Sequence, residues 1–417
     1  MIEEVLDFLD RSPTAFQVVH NISELLDTEG YTELKESQEY VIEKGKGYYI
    51  RRNDSSIMIV NVGSKLEKAQ LKIVAAHGDC PSFKLKPQSL IKDSNYVKLN
   101  TEPYGGALFT PWFDRPLSLA GRLIIKEDGK LKSVSFILDE DFCIIPSLAI
   151  HQNREANNGF MPNAQSDLLP IITLDQDFDL KKYLESKVQK EVVNYDLYLY
   201  PRLKHAIYKE AGLCSAHHLD DLLGATLSFL ALIDSFDDEA IDIAVIFDNE
   251  EVGSSTYQGA DSDFLEVNLE RITKALGLDL ARVAARSYAL SLDSAHAIHP
   301  AHPEKADPVN FPKMNDGITI KVNASQSYTT DALSASILTS LLEENDIPYQ
   351  YFTNRSDTRG GSTLGNIANK HTSIRMADIG IAQLAMHSVY ETCGTKDIEY
   401  MYLALKHFYN DKLIAWE

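Results

Sequence analysis

Four apolar stretches of this chain stop abruptly on a residue that can bind a metal or move a proton. Leu71-Lys72-Ile73-Val74-Ala75-Ala76 runs into His77-Gly78-Asp79, and the stretch at 243–247 runs into Asn249-Glu250-Glu251. Tyr288-Ala289-Leu290-Ser291-Leu292 ends at Asp293, and Ile379-Gly380-Ile381 is followed by His387. A fifth candidate, Asp220, opens a helix after Ala216-His217-His218-Leu219. Short, nearly continuous apolar runs read as strands buried on both faces. Helical patterns at 220–234, 331–343 and 396–410 alternate with them. Together they predict an α/β fold, a mostly parallel sheet flanked by helices, whose ligands gather beyond the carboxyl ends of the strands.

The donor types narrow the chemistry. Two histidines with three carboxylates and no thiolate suit Zn²⁺, with Mn²⁺ or Co²⁺ as substitutes. Five donors are too many for one tetrahedral ion with an open position. Shared through a bridging carboxylate, they suit two divalent ions about 3.5–4 Å apart. Asp79 is placed to accept the second ring N–H of His77 and fix its tautomer. Glu250 and Glu251 diverge at a strand end, so one can bind metal while the other takes a proton from water. Each residue alone has a plainer explanation: a hydrogen-bonded histidine, a solvated Glu pair, an Asp helix cap. Their joint placement beside apolar strands or helices is what those explanations do not cover.

The first thirty residues predict two short helices, with Ser12-Pro13-Thr14 starting the second and Gly30 ending it, and 38–62 reads as strands. From about 90 to 210 the texture changes to short alternating segments punctuated by turns such as Glu127-Asp128-Gly129. A β-rich inserted domain over 91–210 is therefore expected within a catalytic domain made of 1–90 plus 211–417. The chain has 417 residues, with 40 Lys plus Arg against 61 Asp plus Glu, a net charge of −21. Such a surface repels phosphate backbones, so neither nucleic acid nor an anionic membrane is an expected partner. No apolar run approaches the roughly 18 residues of a membrane helix. Met1-Ile2-Glu3-Glu4-Val5 has no basic signal-like region, so a cytoplasmic protein is expected. Cys80, Cys143, Cys214 and Cys393 show no CxxC spacing, so free core thiols are expected rather than disulfides or a thiolate zinc site.

At this point longer strings carry a resemblance. They include Ala75-Ala76-His77-Gly78-Asp79-Cys80-Pro81, Tyr104-Gly105-Gly106, Trp112-Phe113-Asp114-Arg115-Pro116-Leu117, Ile145-Pro146-Ser147-Leu148-Ala149-Ile150-His151, Phe247-Asp248-Asn249-Glu250-Glu251-Val252-Gly253, Asp293-Ser294-Ala295-His296, Ile320-Lys321-Val322-Asn323 and Gln383-Leu384-Ala385-Met386-His387. With these the chain resembles, nearly end to end, the aspartyl aminopeptidases, a family of dinuclear zinc exopeptidases. The resemblance implies that His77, Asp220 and Asp293 hold one metal, and that Asp220, Glu251 and His387 hold the other. It implies Glu250 as general base, Asp79 as the residue orienting His77, and His296 as a contact to the substrate or developing oxyanion. Lys321 would sit in the pocket for the first side chain, and His151 would reach the active site of a neighbouring subunit. The implied architecture is a zinc exopeptidase-like catalytic domain interrupted by a β-rich dimerisation domain, assembled as a dimer-built dodecamer. The implied activity is removal of N-terminal residues, preferentially Asp or Glu, from peptides.

The chain departs from the family pattern at Gly78, where Thr or Ser is usual, and at Asp221, where Asn often follows the bridging Asp. His217-His218 replaces a Pro-Arg-like pair and reads as the start of a helix, with a further metal contact as the alternative. These changes bear on pocket charge and substrate preference. Lys321, between Ile320 and Val322, also reads on pattern alone as a solvent-facing strand residue. Gly360-Gly361-Ser362-Thr363-Leu364-Gly365 reads as a tight turn into a helix, and Asp357 and Arg359 are candidate pocket residues. Two other functions stay in view: a dinuclear aminopeptidase of broad or neutral specificity, and a non-catalytic assembly protein on the same fold. Intact Glu250 and a complete donor set argue against the second.

Overall fold

The computed structural model describes residues 1–358 and 360–414. Its centre is a nine-stranded sheet in the order Thr32–Glu33, Gly47–Arg52, Ser56–Val62, Ala240–Phe247, Gln70–His77, Tyr288–Leu292, Arg375–Gly380, Ile318–Lys321, Tyr349–Phe352. The four strands from Ala240–Phe247 to Arg375–Gly380 are mutually parallel. Antiparallel pairing appears on either side of them, at Ser56–Val62 and Ile318–Lys321. Helices cover both faces, which is why the central strands are apolar at nearly every position. Val74, Ala76, Ala244 and Ile246 face one core, shared with helices Ile2–Arg11, Ala15–Thr28, Leu219–Ile233 and Thr395–Asn410. Ile73, Ala75, Ile243 and Val245 face a second core with helix Phe264–Ala275.

A six-stranded antiparallel sheet stands apart from this layer. Its order is Lys130–Ile137, Leu117–Glu127, Glu191–Pro201, Ser82–Asp93, Tyr96–Tyr104, Ile171–Thr173. It has its own core, in which Trp112 is fully buried edge-on against Phe83 at 5.0 Å between ring centres. Its strands run from Ser82 to Pro201, because Ser82–Asp93 begins only five residues after the buried strand ending at His77. Gln17 ties the two units together by donating to the carbonyls of Gly121 and Phe136. A third, five-stranded sheet links Leu213–Ala216, Glu391–Gly394, Ala382–Leu384 and Ala295–His296, the segments that lead into or out of Asp220, His387 and Asp293. Among the described residues no helix is long and apolar enough to cross a membrane.

Candidate metal centre

The sheet delivers its charged groups to one place. His77 is the last residue of its strand and is 1 % exposed. Glu250 and Glu251 form a single 3-10 turn after Ala240–Phe247, and Asp293 follows Tyr288–Leu292 directly. Asp220 sits at the kinked start of helix Leu219–Ile233, and the peptide joining it to Asp221 is cis. His387 occupies a left-handed turn, φ 67°, after Ala382–Leu384.

Two donor sets result, and they share Asp220. His77, Asp220 and Asp293 each offer a donor atom within 4.8 Å of the others, and so do Asp220, Glu251 and His387. His77 Nε2 lies 3.8 Å from Asp220 Oδ1. His387 Nε2 lies 3.5 Å from both Asp220 Oδ2 and Glu251 Oε2. Glu250 joins His77 and Glu251 in a further group of the same span. The five residues therefore converge, with Glu250 alongside.

The imidazole tautomers are set by carbonyl oxygens. His77 Nδ1 donates to the Asp79 carbonyl at 3.1 Å, and His387 Nδ1 donates to the Gly106 carbonyl at 3.1 Å. In the neutral ring each Nε2 then turns a lone pair toward carboxylates. Two lone pairs facing three carboxylates is an arrangement that wants cations between them. Asp220 Oδ1 and Glu251 Oε1 are buried with no hydrogen-bond partner, which costs free energy unless a cation takes them. The donor set and its orphaned oxygens thus fit divalent metal ions.

A surrounding layer holds the donors still. The Asp79 carboxylate accepts from the backbone N–H of Glu250 (3.1 Å) and of Glu251 (3.2 Å), and from the Tyr104 hydroxyl (2.6 Å). Its carboxyl oxygen lies 3.4 Å from His77 Nδ1, farther than its own carbonyl. Asp79 therefore meets His77 chiefly through its main chain and spends its side chain on the Glu250-Glu251 turn. Glu391, buried and absent from the sequence-based candidates, accepts from the Asp220 N–H at 2.9 Å and the His387 N–H at 2.6 Å. No local pattern marks it, since its role comes from strand pairing. Gly105, at φ +70°, lets the chain pass Glu251, whose Cβ would lie 3.1 Å from an added methyl.

Charge crowding shifts the protonation equilibria of these groups. Burial pushes Glu250 up to about 7; His77 opposes this and the Asp293, Asp79 and Asp220 carboxylates add to it. Burial likewise lifts Asp293 to about 6 against the pull of Lys321. Burial disfavours a charged His387, yet its contact to Asp220 and the Glu251 charge carry it up to about 9.

The centre opens on a cavity of about 560 Å³ lined by Asp220, Glu250, Asp293, His296, Lys321 and His387 among others. His296 faces this space, with its ring 6.3 Å from Phe352. Lys321 is 3 % exposed, so it is not the solvent-facing residue its strand pattern allowed. Its ammonium donates to the carbonyls of Asp293 (3.1 Å) and Ser294 (3.0 Å), and it lies 3.4 Å from Asp293 Oδ1 and 5.0 Å from the Tyr328 ring centre. His151 is exposed on the six-stranded unit and does not line this chain's own cavity. Asp357 is exposed and paired with Arg355 rather than lining the cavity, and Arg359 lies outside the described residues. The glycine-rich segment leads into helix Leu364–Thr372.

Comparison with known proteins places this centre. The family described as Aminopeptidase I zinc metalloprotease (M18) matches residues 8–409. Two curated relatives, each named Probable M18 family aminopeptidase 2, are 44 % identical over 423 residues (Clostridium novyi) and 41 % identical over 424 residues (Clostridium acetobutylicum). In both cases 98 % of each chain is covered. Among solved structures, the chain in a complex of Ape4 and Nbr1 is similar with a TM-score of 0.93 and 31 % identity, over 98 % of this chain and 85 % of that one. The S. cerevisiae mApe1 dodecamer is similar with a TM-score of 0.86 and 28 % identity, over 98 % and 95 %. A catalytic α/β layer with clustered metal donors and these relatives define a metal-dependent hydrolase of peptide bonds. The chain belongs to the M18 aminopeptidase family of zinc metalloproteases, and its activity is that of a metallo-aminopeptidase.

Proposed function

We propose that the protein is a dinuclear aminopeptidase that removes acidic residues, Asp or Glu, from peptide N-termini. The observation that carries this reading is the pair of donor sets sharing Asp220, with Glu250 beside them. His77, Asp220 and Asp293 would hold one ion, and Asp220, Glu251 and His387 the other, with zinc as first choice and Mn²⁺ or Co²⁺ as substitutes. Divalent cations held by these residues would supply Lewis-acid polarisation of the scissile carbonyl and a lowered pKa for bound water. Glu250 takes the proton of the attacking water and returns it to the leaving amine nitrogen. Asp79 keeps Glu250 aimed by holding its backbone N–H. His296, on the cavity wall, donates toward the tetrahedral oxyanion.

Acidic preference is assigned to Lys321, the ammonium in the cavity wall. A charged hydrogen bond to a substrate carboxylate contributes about 1.5–3 kcal/mol, one to two decades in rate. One observation favours a broader, neutral specificity instead. The Lys321 ammonium is already engaged by two carbonyls and Asp293, which leaves it little unspent donor capacity.

We also read the chain as a homo-oligomer, dimer-built and dodecameric as the yeast relative is described. The six-stranded unit, whose strands run from Ser82 to Pro201 where the sequence bounded the insert at 91–210, is the proposed dimerisation domain, with His151 completing a neighbouring site. Leu148, Ile150, Phe160 and Met161 support this, since all four are exposed apolar side chains near His151 in sequence. The deciding experiment is a panel of Asp-, Glu-, Leu- and Lys-peptide substrates on purified protein. It is run with chelator and then with Zn²⁺, Mn²⁺ or Co²⁺ restored. Chelator-resistant activity ends the metal assignment, and equal rates on all four substrates end the acidic preference.

A further inference from the structure

Next to the carboxylate-rich centre lies a group of donors that the proposed reaction does not use. Cys80 Sγ is 2.9 Å from His218 Nε2. With His217 they form a trio whose donor atoms all lie within 4.8 Å of one another. Cys80 and His218 are 7 % and 3 % exposed. Both ring nitrogens of His217 are buried and make no hydrogen bond of ordinary geometry, the Val389 backbone being the one polar group that acts on the ring. Leaving one buried polar group unsatisfied costs about 1–3 kcal/mol, and one ring cannot satisfy both of its nitrogens by tautomer choice. His218 adopts a left-handed conformation, φ 62° and ψ 40°, uncommon for a residue with a Cβ. Its ring packs directly against that of His217.

We propose that Cys80, His217 and His218 form a third metal site, built for a borderline-to-soft divalent cation such as Zn²⁺. One thiolate with two imidazoles and no oxygen donor selects zinc, copper or cobalt over magnesium, calcium or manganese. Burial first, and then the negative charges of Glu251, Asp79, Glu391 and Asp220, hold the Cys80 thiol well above its ordinary range, so a bound cation must displace that proton to gain its thiolate. A tetrahedral zinc with bonds of 2.0–2.3 Å sets its donors about 3.3–3.8 Å apart, so Cys80 and His218, now 2.9 Å apart, must separate by about 0.4–0.9 Å. The sequence leaves a metal contact open at His217-His218 but hides the thiol, which only the fold brings to the imidazoles. His218 stands two residues before Asp220, so an ion here anchors the segment that carries the shared carboxylate. The site does not depend on how the carboxylate centre is loaded, since that centre contains no sulfur.

The test is a Co²⁺ titration of metal-depleted, reduced protein, followed by its absorption spectrum. A near-ultraviolet thiolate-to-cobalt charge-transfer band can arise only from a cysteine ligand. We expect that band to grow with one equivalent per chain beyond those taken by the carboxylate centre. Cys80→Ser and His217→Asn, each shown by circular dichroism to be folded, should lose the band and one equivalent of cobalt. Cys214→Ser should keep both. Saturation of the wild-type protein without the band overturns the proposal, and so does a band that survives in Cys80→Ser. Failure of the dinuclear reading would look different: the thiolate band would appear while the carboxylate centre took up no cobalt.

Discussion

Two carboxylates of this centre should respond oppositely to neutralisation. Glu250 is given no metal to hold, so Glu250→Gln keeps the donor sets intact and removes the proton acceptor. The expected result is a fall in kcat of about 10²–10⁴-fold with bound zinc per chain unchanged, read by elemental analysis on the assayed sample. Loss of zinc in step with activity would move Glu250 into the donor set. Glu391→Gln is the complementary case. Both its oxygens accept backbone N–H groups, from Asp220 and His387. An amide must turn an NH₂ toward one of those donors. Metal affinity should weaken by about 10–100-fold, measured by competition with a chromophoric chelator, while kcat at saturating metal changes far less. Lys321→Leu addresses selectivity. The ratio of Asp- to Leu-substrate rates should drop by one to two decades, consistent with about 1.5–3 kcal/mol for the charged contact. Zinc content is read alongside, because the same ammonium steadies Asp293.

At the scale of elements, the helix Ala332–Glu344 offers a clean pH test away from the metal donors. Its cap, Asp331, accepts from the Ser334 N–H at 2.7 Å, and the Asp331 N–H donates in return to the Ser334 hydroxyl oxygen at 2.8 Å. That backbone hydrogen bond holds the Asp331 carboxyl below its usual range. With a depressed folded-state pKa, the stabilisation is complete above the ordinary Asp value near 3.9 and is lost as pH falls through the lower, folded one. Asp331→Ala should cost about 1 kcal/mol at neutral pH. The gap between the two melting curves should close in acid. A gap that persists there would mean the carboxylate is not the capping group. The same element logic explains what a reader of the sequence could see. Runs that stop at His77 and Asp293 are legible because a strand covered on both faces must be apolar until it leaves the layer. The helices at 220–234, 331–343 and 396–410 are legible for the same reason, with one face each to bury. Glu391 and the Cys80–His218 contact are not legible, because they depend on which strand pairs with which and on one left-handed residue. The start of the second sheet at Ser82 is hidden too, since Ser82–Asp93 follows a core strand and shares its apolar look at Phe83 and Leu85.

At the scale of the whole molecule the question is whether one chain holds a complete site. The cavity is walled by residues of the catalytic layer, and His151 stands outside it on an exposed loop flanked by Leu148 and Ile150. If a neighbour's His151 completes the site, the two halves of the machinery can be broken in different chains and recombined. His151→Ala leaves a chain with its own Glu250 but no histidine to lend. Glu250→Gln leaves a chain that can lend His151 but cannot move the proton. Each assembly alone should be nearly inactive. Co-assembled by mixing at a concentration where dimers exchange, or by co-expression, the two should regain activity that neither has. The recovered sites are those in which an intact Glu250 faces a borrowed His151. If His151 acts only within its own chain, the mixture stays at the level of its parts. Replacing Leu148 and Met161 with Glu supplies the control. It should lower the mass of the assembly in sedimentation and abolish the complementation together, because a site built across two chains cannot outlive the contact between them.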